Sequence, residues 1–236
     1  MTPRRSPGRR WWAAAGLAPL LAACAAAPSD RHGAGAAGER VLFAPETAIQ
    51  DEWQPVVLRG ETEYRLAVLD GRLAIRAVGR HSASGLLRSV QVDPSRCPVL
   101  EWTWRVERLQ PDADIRVKER DDVAASLFLF FGDPGLLINP NRVPTLRYVW
   151  TSARVPVGAV VDSPYVPGIV RNLVVESGEG RLGRWVSERR RIADDFEQAF
   201  GRRPTAAVQA IALFTDNDQT GQPVEAYYAG ARVLCE

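Results

Sequence analysis

Apolar and polar side chains alternate with a period of two along most of this chain from residue 41 onward, which is the spacing of strands with one face buried. Residues 64–69 and 72–78 are two such runs around Asp70-Gly71, a residue pair suited to a two-residue hairpin turn, so a tight β-hairpin is predicted there. Leu100, Trp102, Trp104 and Val106 alternate with Glu101, Thr103, Arg105 and Glu107, giving a strand with an apolar face toward a core and a charged face toward water. Val123 to Phe131 is nearly continuous in apolar residues and reads as a central strand covered on both sides, or as one facing an aromatic cleft. Further strands are predicted at 53–58, 84–92, 146–151, 168–176, 183–190, 206–215 and 225–234. One segment, Asp194 to Phe200 followed by Gly201, has the acidic first turn and terminal glycine of a short helix. Many short strands and a single helix predict an all-β fold, a two-sheet antiparallel β-sandwich of jelly-roll type.

The N-terminus departs from this pattern. Arg4, Arg5, Arg9 and Arg10 precede an apolar stretch from Trp11 to Leu21 and then small residues, the layout of a secretory signal peptide. That stretch is shorter than the roughly 20 residues needed to span a bilayer. It ends Leu21-Ala22-Ala23-Cys24, which resembles the lipobox of bacterial lipoproteins and implies acylation of Cys24 as the mature N-terminus. Ala25 follows, where an aspartate would suggest inner-membrane retention, so the expected location is the periplasmic face of the outer membrane. Residues 1–23 therefore read as a lipoprotein signal. Residues 24–40, rich in Ala, Gly, Pro and Ser, read as a flexible tether, and 41–236 as one β-sandwich domain.

Removing the signal takes away four arginines and no acids, so a formal charge of +2 becomes −2. A nearly neutral domain lacks the basic footprint of a nucleic-acid binder. The expected partners are the lipid bilayer, through the Cys24 acyl chains, and a glycan or protein of the envelope. Cys97 and Cys235 remain, a candidate disulfide in an oxidising compartment, with two small buried thiols as the alternative.

Several patches carry candidate chemistry. Asp216-Asn217-Asp218-Gln219-Thr220-Gly221 gathers hard oxygen ligands, so Asp216, Asp218 and Thr220 are candidate ligands for calcium. Tyr227 stands where an EF-hand needs its bidentate Glu, so that motif is excluded. A polar turn whose Asp and Asn side chains cap their own backbone is the alternative. Lys118 is the only lysine among 30 basic residues, and Asp121 and Asp122 stand close enough in sequence to pair with it. Trp102, Trp104, Trp150, Trp185, Tyr148, Tyr227 and Tyr228 supply planes for sugar stacking, although tryptophans on an alternating strand usually pack inside. Hydrolytic chemistry would draw on two of Glu101, Glu176 and Glu188, and no paired Glu-x-Asp-x-Glu pattern supports it. Only His32 and His81 exist, which disfavours a Ser/His/Asp system and a zinc site.

A group of segments taken together resembles an uncharacterised bacterial family, domain of unknown function 3047. They are Glu101-Trp102-Thr103-Trp104-Arg105-Val106, Lys118 with Asp121-Asp122, Tyr148-Val149-Trp150, Val175-Glu176-Ser177-Gly178, Trp185 with Glu188-Arg189, Phe200-Gly201, and Thr215 to Gly221 ending in Ala226-Tyr227-Tyr228. The resemblance runs from about residue 100 to 230 and implies no activity. The chain departs from it at Tyr227-Tyr228-Ala229-Gly230, where Tyr-Tyr-Gly-Asp is expected, and at Ser163-Pro164-Tyr165, where an asparagine is expected before Pro-Tyr.

These features lead to a non-catalytic envelope lipoprotein that binds carbohydrate or another polar ligand on the solvated face of the sandwich. Arg105, Lys118, Asp121, Asp122, Tyr148, Trp150, Glu188 and Tyr227 are its candidate contacts. A jelly-roll glycoside hydrolase or lyase, and a structural or protein-interaction lipoprotein, are the alternatives.

Overall fold

A computed structural model describes residues 38–46, 53–135 and 143–236, so Cys24 and the signal lie outside the described residues. One sheet has six strands. β11 (Val186–Arg191), β6 (Val99–Arg108), β13 (Val224–Cys235), β4 (Arg72–Gly79) and β3 (Glu63–Leu69) follow in that order, and β1 (Gly38–Phe43) also pairs with β13. β13 is long enough to hold β4 with residues 224–228 and β1 with 231–235. The first strand thus begins three residues ahead of the expected domain start at Val41.

The second sheet has seven strands, in the order β2 (Gln54–Arg59), β5 (Ala83–Val92), β12 (Val208–Asp216), β7 (Ala125–Phe131), β8 (Thr145–Thr151), β10 (Val170–Ser177) and β9 (Val160–Asp162). All pairings are antiparallel except β8 with β10, which is parallel. The antiparallel expectation is corrected there: the chain leaving β8 crosses over before it returns as β10, and β9 pairs on the far side. The Asp70-Gly71 hairpin forms with Leu69 opposite Arg72 and positive φ at both turn residues, 50° and 73°, as a two-residue turn requires.

The core lies between the two sheets. Leu100, Trp102, Trp104 and Val106 of β6 face Leu127 and Leu129 of β7 and Leu146, Tyr148 and Trp150 of β8. Trp102 and Tyr148 lie 4.9 Å apart between ring centroids, and Trp104 and Trp150 6.2 Å. Alternation fixes this: once Leu146, Tyr148 and Trp150 point inward, Arg147 between them must point out. The helix α1 (Ile192–Phe200) packs Phe196 on Phe131 at 4.3 Å and receives the Tyr148 hydroxyl on Asp195 Oδ2 at 2.9 Å. It ends at Gly201, whose φ of 70° and N–H to the Glu197 carbonyl form a left-handed cap. A disulfide joins Cys97 to Cys235, tying the start of β6 to the end of β13.

The two outer faces differ. On the six-stranded sheet charges neutralise one another: Glu101 accepts from Arg189 and Arg232, Arg105 from its side donates to Asp70 and Glu107, and Arg76 donates to Glu225. On the seven-stranded sheet the outer face is apolar and concave.

Candidate functional site

The concavity follows from residue sizes on neighbouring strands. Phe128 and Phe130 project outward from β7, and their cross-strand partners on β12 are Ala212 and Ala210. On β5, Leu87 lies opposite Ala212, and Gly85 lies opposite Phe214. A Cβ on Gly85 would stand 2.4 Å from the Phe214 ring, so only glycine lets that ring lie against β5. Large rings beside small residues leave a groove of about 630 Å³ floored by Leu87, Phe128, Phe130, Ala212 and Phe214.

One end of the groove is polar. Arg147, 5% exposed, stands opposite Phe128 on β8, with its guanidinium 4.9 Å from the Phe128 centroid and 5.9 Å from that of Phe214. Its Nη2 donates to Asp216 Oδ1 at 3.2 Å, and the same oxygen accepts from the Val123 N–H at 3.1 Å. Asp122, fully buried, holds the 216–221 loop in place: Oδ1 accepts from the Gln219 N–H and Oδ2 from the Thr220 N–H and hydroxyl. Asn217 ties that loop to the end of β4 and the turn after it, donating to the Gly79 carbonyl and accepting from the Ser82 N–H, and it also donates to the Gln222 carbonyl.

Asp121, Asp218 and Gln219 complete the polar end. Gln219 spends its amide N–H groups on Tyr165 Oη and Asp218 Oδ2. Four buried polar atoms of groove-lining residues make no hydrogen bond: Asp121 Oδ1, Asp218 Oδ1, Gln219 Oε1 and Arg147 Nε. Buried polar atoms are normally paired, since leaving one unpaired costs about 1–3 kcal/mol. The residues that carry them line one end of the groove, so aromatic floor and polar side chains lie side by side there.

Electrostatics agree with geometry. Burial pushes the Asp121 carboxyl up to about 7; Arg147 opposes the rise while Asp122 and Asp218 add to it. Burial also holds Asp216 well above the usual carboxylate range against the pull of Arg147, and raises Asp218 with help from Asp122. A carboxyl whose folded pKa is raised binds a proton that the unfolded chain has already released, so stability falls as pH rises from about 4 to 7. Asp121→Asn removes that cost. It is expected to stabilise the domain by about 4 kcal/mol at pH 8 and not at all near pH 3.5, read from urea unfolding at the two pH values.

Of the candidate calcium ligands, Asp216 and Asp218 come together with Asp122, one oxygen from each lying within 4.8 Å of the others. Thr220 serves differently, donating its hydroxyl to Asp122. Both Asp122 oxygens and Asp216 Oδ1 already accept from N–H or O–H groups, the last from the Arg147 guanidinium. This donor set is arranged to accept hydrogen bonds; a calcium ion wants six to eight free oxygens.

The other expected contacts are dispersed. Lys118 stands near the groove mouth with Nζ 5.0 Å from the ring of Tyr165, a groove-lining residue. Tyr148 and Trp150 are fully buried between the sheets and face away from the groove, which corrects the expectation that they contact ligand. Arg105 and Tyr227 lie in the ion-paired outer face of the other sheet, Arg105 over the Trp185 ring and Tyr227 donating to Glu225. The solvated face expected to hold the ligand is therefore neutralised by its own charges, and the groove opens on the opposite sheet.

Glu101 is paired on that same face with Arg189 and Arg232. Glu176 and Glu188 do meet: burial raises Glu188 to about 7 and the adjacent Glu176 carboxylate adds to the rise. Neither residue lines the groove. The groove residues that sequence reasoning missed are Arg147, Phe128, Phe130, Phe214 and Gln219. A lone charge inside the apolar run Leu146-Arg147-Tyr148-Val149-Trp150 was the available signal for the first.

A family model described as protein of unknown function, DUF3047, matches residues 51–232. A comparison with curated proteins gives no match. Among solved structures, the chain is similar to the family 11 carbohydrate-binding module of the cellulosomal cellulase Lic26A-Cel5E of Clostridium thermocellum, at 9% identity and a TM-score of 0.45, over 86% of this chain and 97% of that one. It is also similar to the low-affinity xylan-binding module CBM86 from Roseburia intestinalis, at 11% identity and a TM-score of 0.36, over 84% and 96%. A third is the K1 cleaved adhesin domain of Lys-gingipain from Porphyromonas gingivalis, at 9% and 0.42, over 86% and 99%. Likeness of this degree concerns the path of the chain and says nothing of a ligand.

Proposed function

Because the chain belongs to DUF3047, a family of unknown function, its role has to be read from its own site, and we propose a lipid-anchored envelope domain that binds carbohydrate in the outer groove of the seven-stranded sheet. The observation that carries this reading is a groove of about 630 Å³ that sets a floor of Phe128, Phe130 and Phe214 beside Arg147, Asp121, Asp216, Asp218 and Gln219 at one end. Sugar rings present apolar C–H faces to aromatic planes and hydroxyls to acids and arginines, and this groove offers both surfaces side by side. Cys24 would tether the domain to the periplasmic face of the outer membrane through its acyl chains, which places the groove among envelope glycans. The test is an array of peptidoglycan fragments, lipopolysaccharide core oligosaccharides and plant β-glucans probed with the purified protein. Saturable binding to at least one class is expected, and silence across all three would remove the carbohydrate reading.

A hydrolase reading draws support from the Glu176 and Glu188 pair, in which burial and the neighbouring Glu176 raise the Glu188 carboxyl to about 7, where a general acid is useful. Release of reducing ends from the same glycans, lost in Glu188→Gln, would favour it. Binding without turnover would favour the non-catalytic reading.

A further inference from the structure

Among the aromatic side chains of the described residues, Tyr165 alone is exposed, at 48%, and it lines the groove beside Asp121, Asp218 and Gln219. The floor rings are sunk by comparison, Phe130 to 6% and Phe214 to 7%. Tyr165 belongs to Ser163-Pro164-Tyr165, in the loop between β9 and β10, a segment that the groove floor does not use.

An exposed ring is ordinarily free to turn, but this one is fixed from several sides. Its loop is closed by the Ser163 N–H on the Val170 carbonyl and by the Gly168 N–H on Asp162 Oδ1, both at 2.9 Å. The Tyr165 N–H donates to Ser163 Oγ at 3.3 Å. The phenol hydroxyl donates to the Lys118 carbonyl at 3.0 Å and accepts from Gln219 Nε2 at 2.9 Å, so three segments of the chain meet on it. Lys118 Nζ lies over one face of the ring, 5.0 Å from its centroid. The polar tip is thus engaged by the protein both as donor and as acceptor, and what Tyr165 offers outward is the planar, apolar ring. Immobilising a free side chain on binding costs about 0.5–1.5 kcal/mol, and here folding has already done it.

Resting on the reading of the groove as a carbohydrate site, we infer that Tyr165 is its stacking platform, on which a sugar lays the apolar C–H face of its ring. Lys118 takes one side of the phenol ring, which leaves the other side to the ligand. Tyr165 then touches the ligand itself, whereas Asp122 and Asn217 act at a distance by holding the 216–221 loop. A clasp between loops is the competing role, and the two roles depend on different atoms. Stacking needs the ring and tolerates loss of the hydroxyl; a clasp needs the hydroxyl and gains nothing from a bare ring.

The experiment is isothermal titration of the wild-type protein, Tyr165→Phe and Tyr165→Ala with three probes: cellotetraose, a peptidoglycan tetrasaccharide and a lipopolysaccharide core oligosaccharide. Thermal unfolding of each variant checks that it folds as the wild type does. For whichever probe the wild-type protein binds, Tyr165→Ala is expected to weaken binding about tenfold, the loss that one aromatic contact implies. Tyr165→Phe keeps the ring and is expected to stay within about threefold of wild type. Unchanged affinity in Tyr165→Ala overturns the inference and leaves the carbohydrate reading standing on the groove floor. Equal losses in Tyr165→Phe and Tyr165→Ala overturn it too, and assign Tyr165 to the clasp. Silence of the wild-type protein toward all three probes overturns the inference together with the reading beneath it.

Discussion

Replacing Cys97 and Cys235 together by serine is expected to lower the unfolding free energy by roughly 4–5 kcal/mol. The bond spans 138 residues, and in the chain-entropy account a cross-link of that length removes a large share of the freedom of the unfolded chain. It also joins the ends of two central neighbours, since Val99 of β6 lies opposite Leu234 of β13. Urea unfolding of the oxidised protein and of the double variant reads the difference directly. A change below about 1 kcal/mol would mean that the Arg96 carbonyl's bond to the Glu236 N–H and the β6–β13 ladder hold this corner without the cross-link.

The second large effect is expected at Arg147. In Arg147→Met the Asp216 carboxyl loses the buried guanidinium that opposes its protonation, at a cost of up to about 3–5 kcal/mol, the range for removing one partner of a buried ion pair. Asp216→Asn added to that variant keeps an oxygen for the Val123 N–H and removes the charge, so most of the loss should return. The single and double variants, compared by urea unfolding at pH 7, separate this from a cost of side-chain packing over Phe128 and Phe214. A double variant no more stable than the single one would assign the effect to packing.

The strands were legible because their residues obey a period of two between unmistakable turns, as at Asp70-Gly71. β1 was not, because Gly38, Glu39 and Arg40 have the composition of the linker before them and take up strand geometry only through β13. The parallel pairing of β8 with β10 leaves no local mark, since pairing partners are chosen by tertiary structure. Within the site, the acids at 121, 122, 216 and 218 stood out as charges at the ends of apolar runs. The phenylalanines did not. In Leu127-Phe128-Leu129-Phe130 every residue is apolar, so the sequence carries no difference between the side that fills the core and the side that floors the groove. The chemistry of Tyr148 and Trp150 suits a ligand, whereas their alternation with Arg147 puts them on the opposite face.

The claim that ligand binds on the outer face of the seven-stranded sheet is tested most directly by closing that groove. Ala212→Trp places a large ring between Phe128 and Leu87, while Thr103→Trp makes the same addition to the ion-paired face of the other sheet. Both variants, checked for unaltered thermal unfolding, go onto the glycan array beside the wild-type protein. The account predicts that Ala212→Trp loses the wild-type signal and that Thr103→Trp retains it. Full binding by Ala212→Trp, or loss confined to Thr103→Trp, would contradict it.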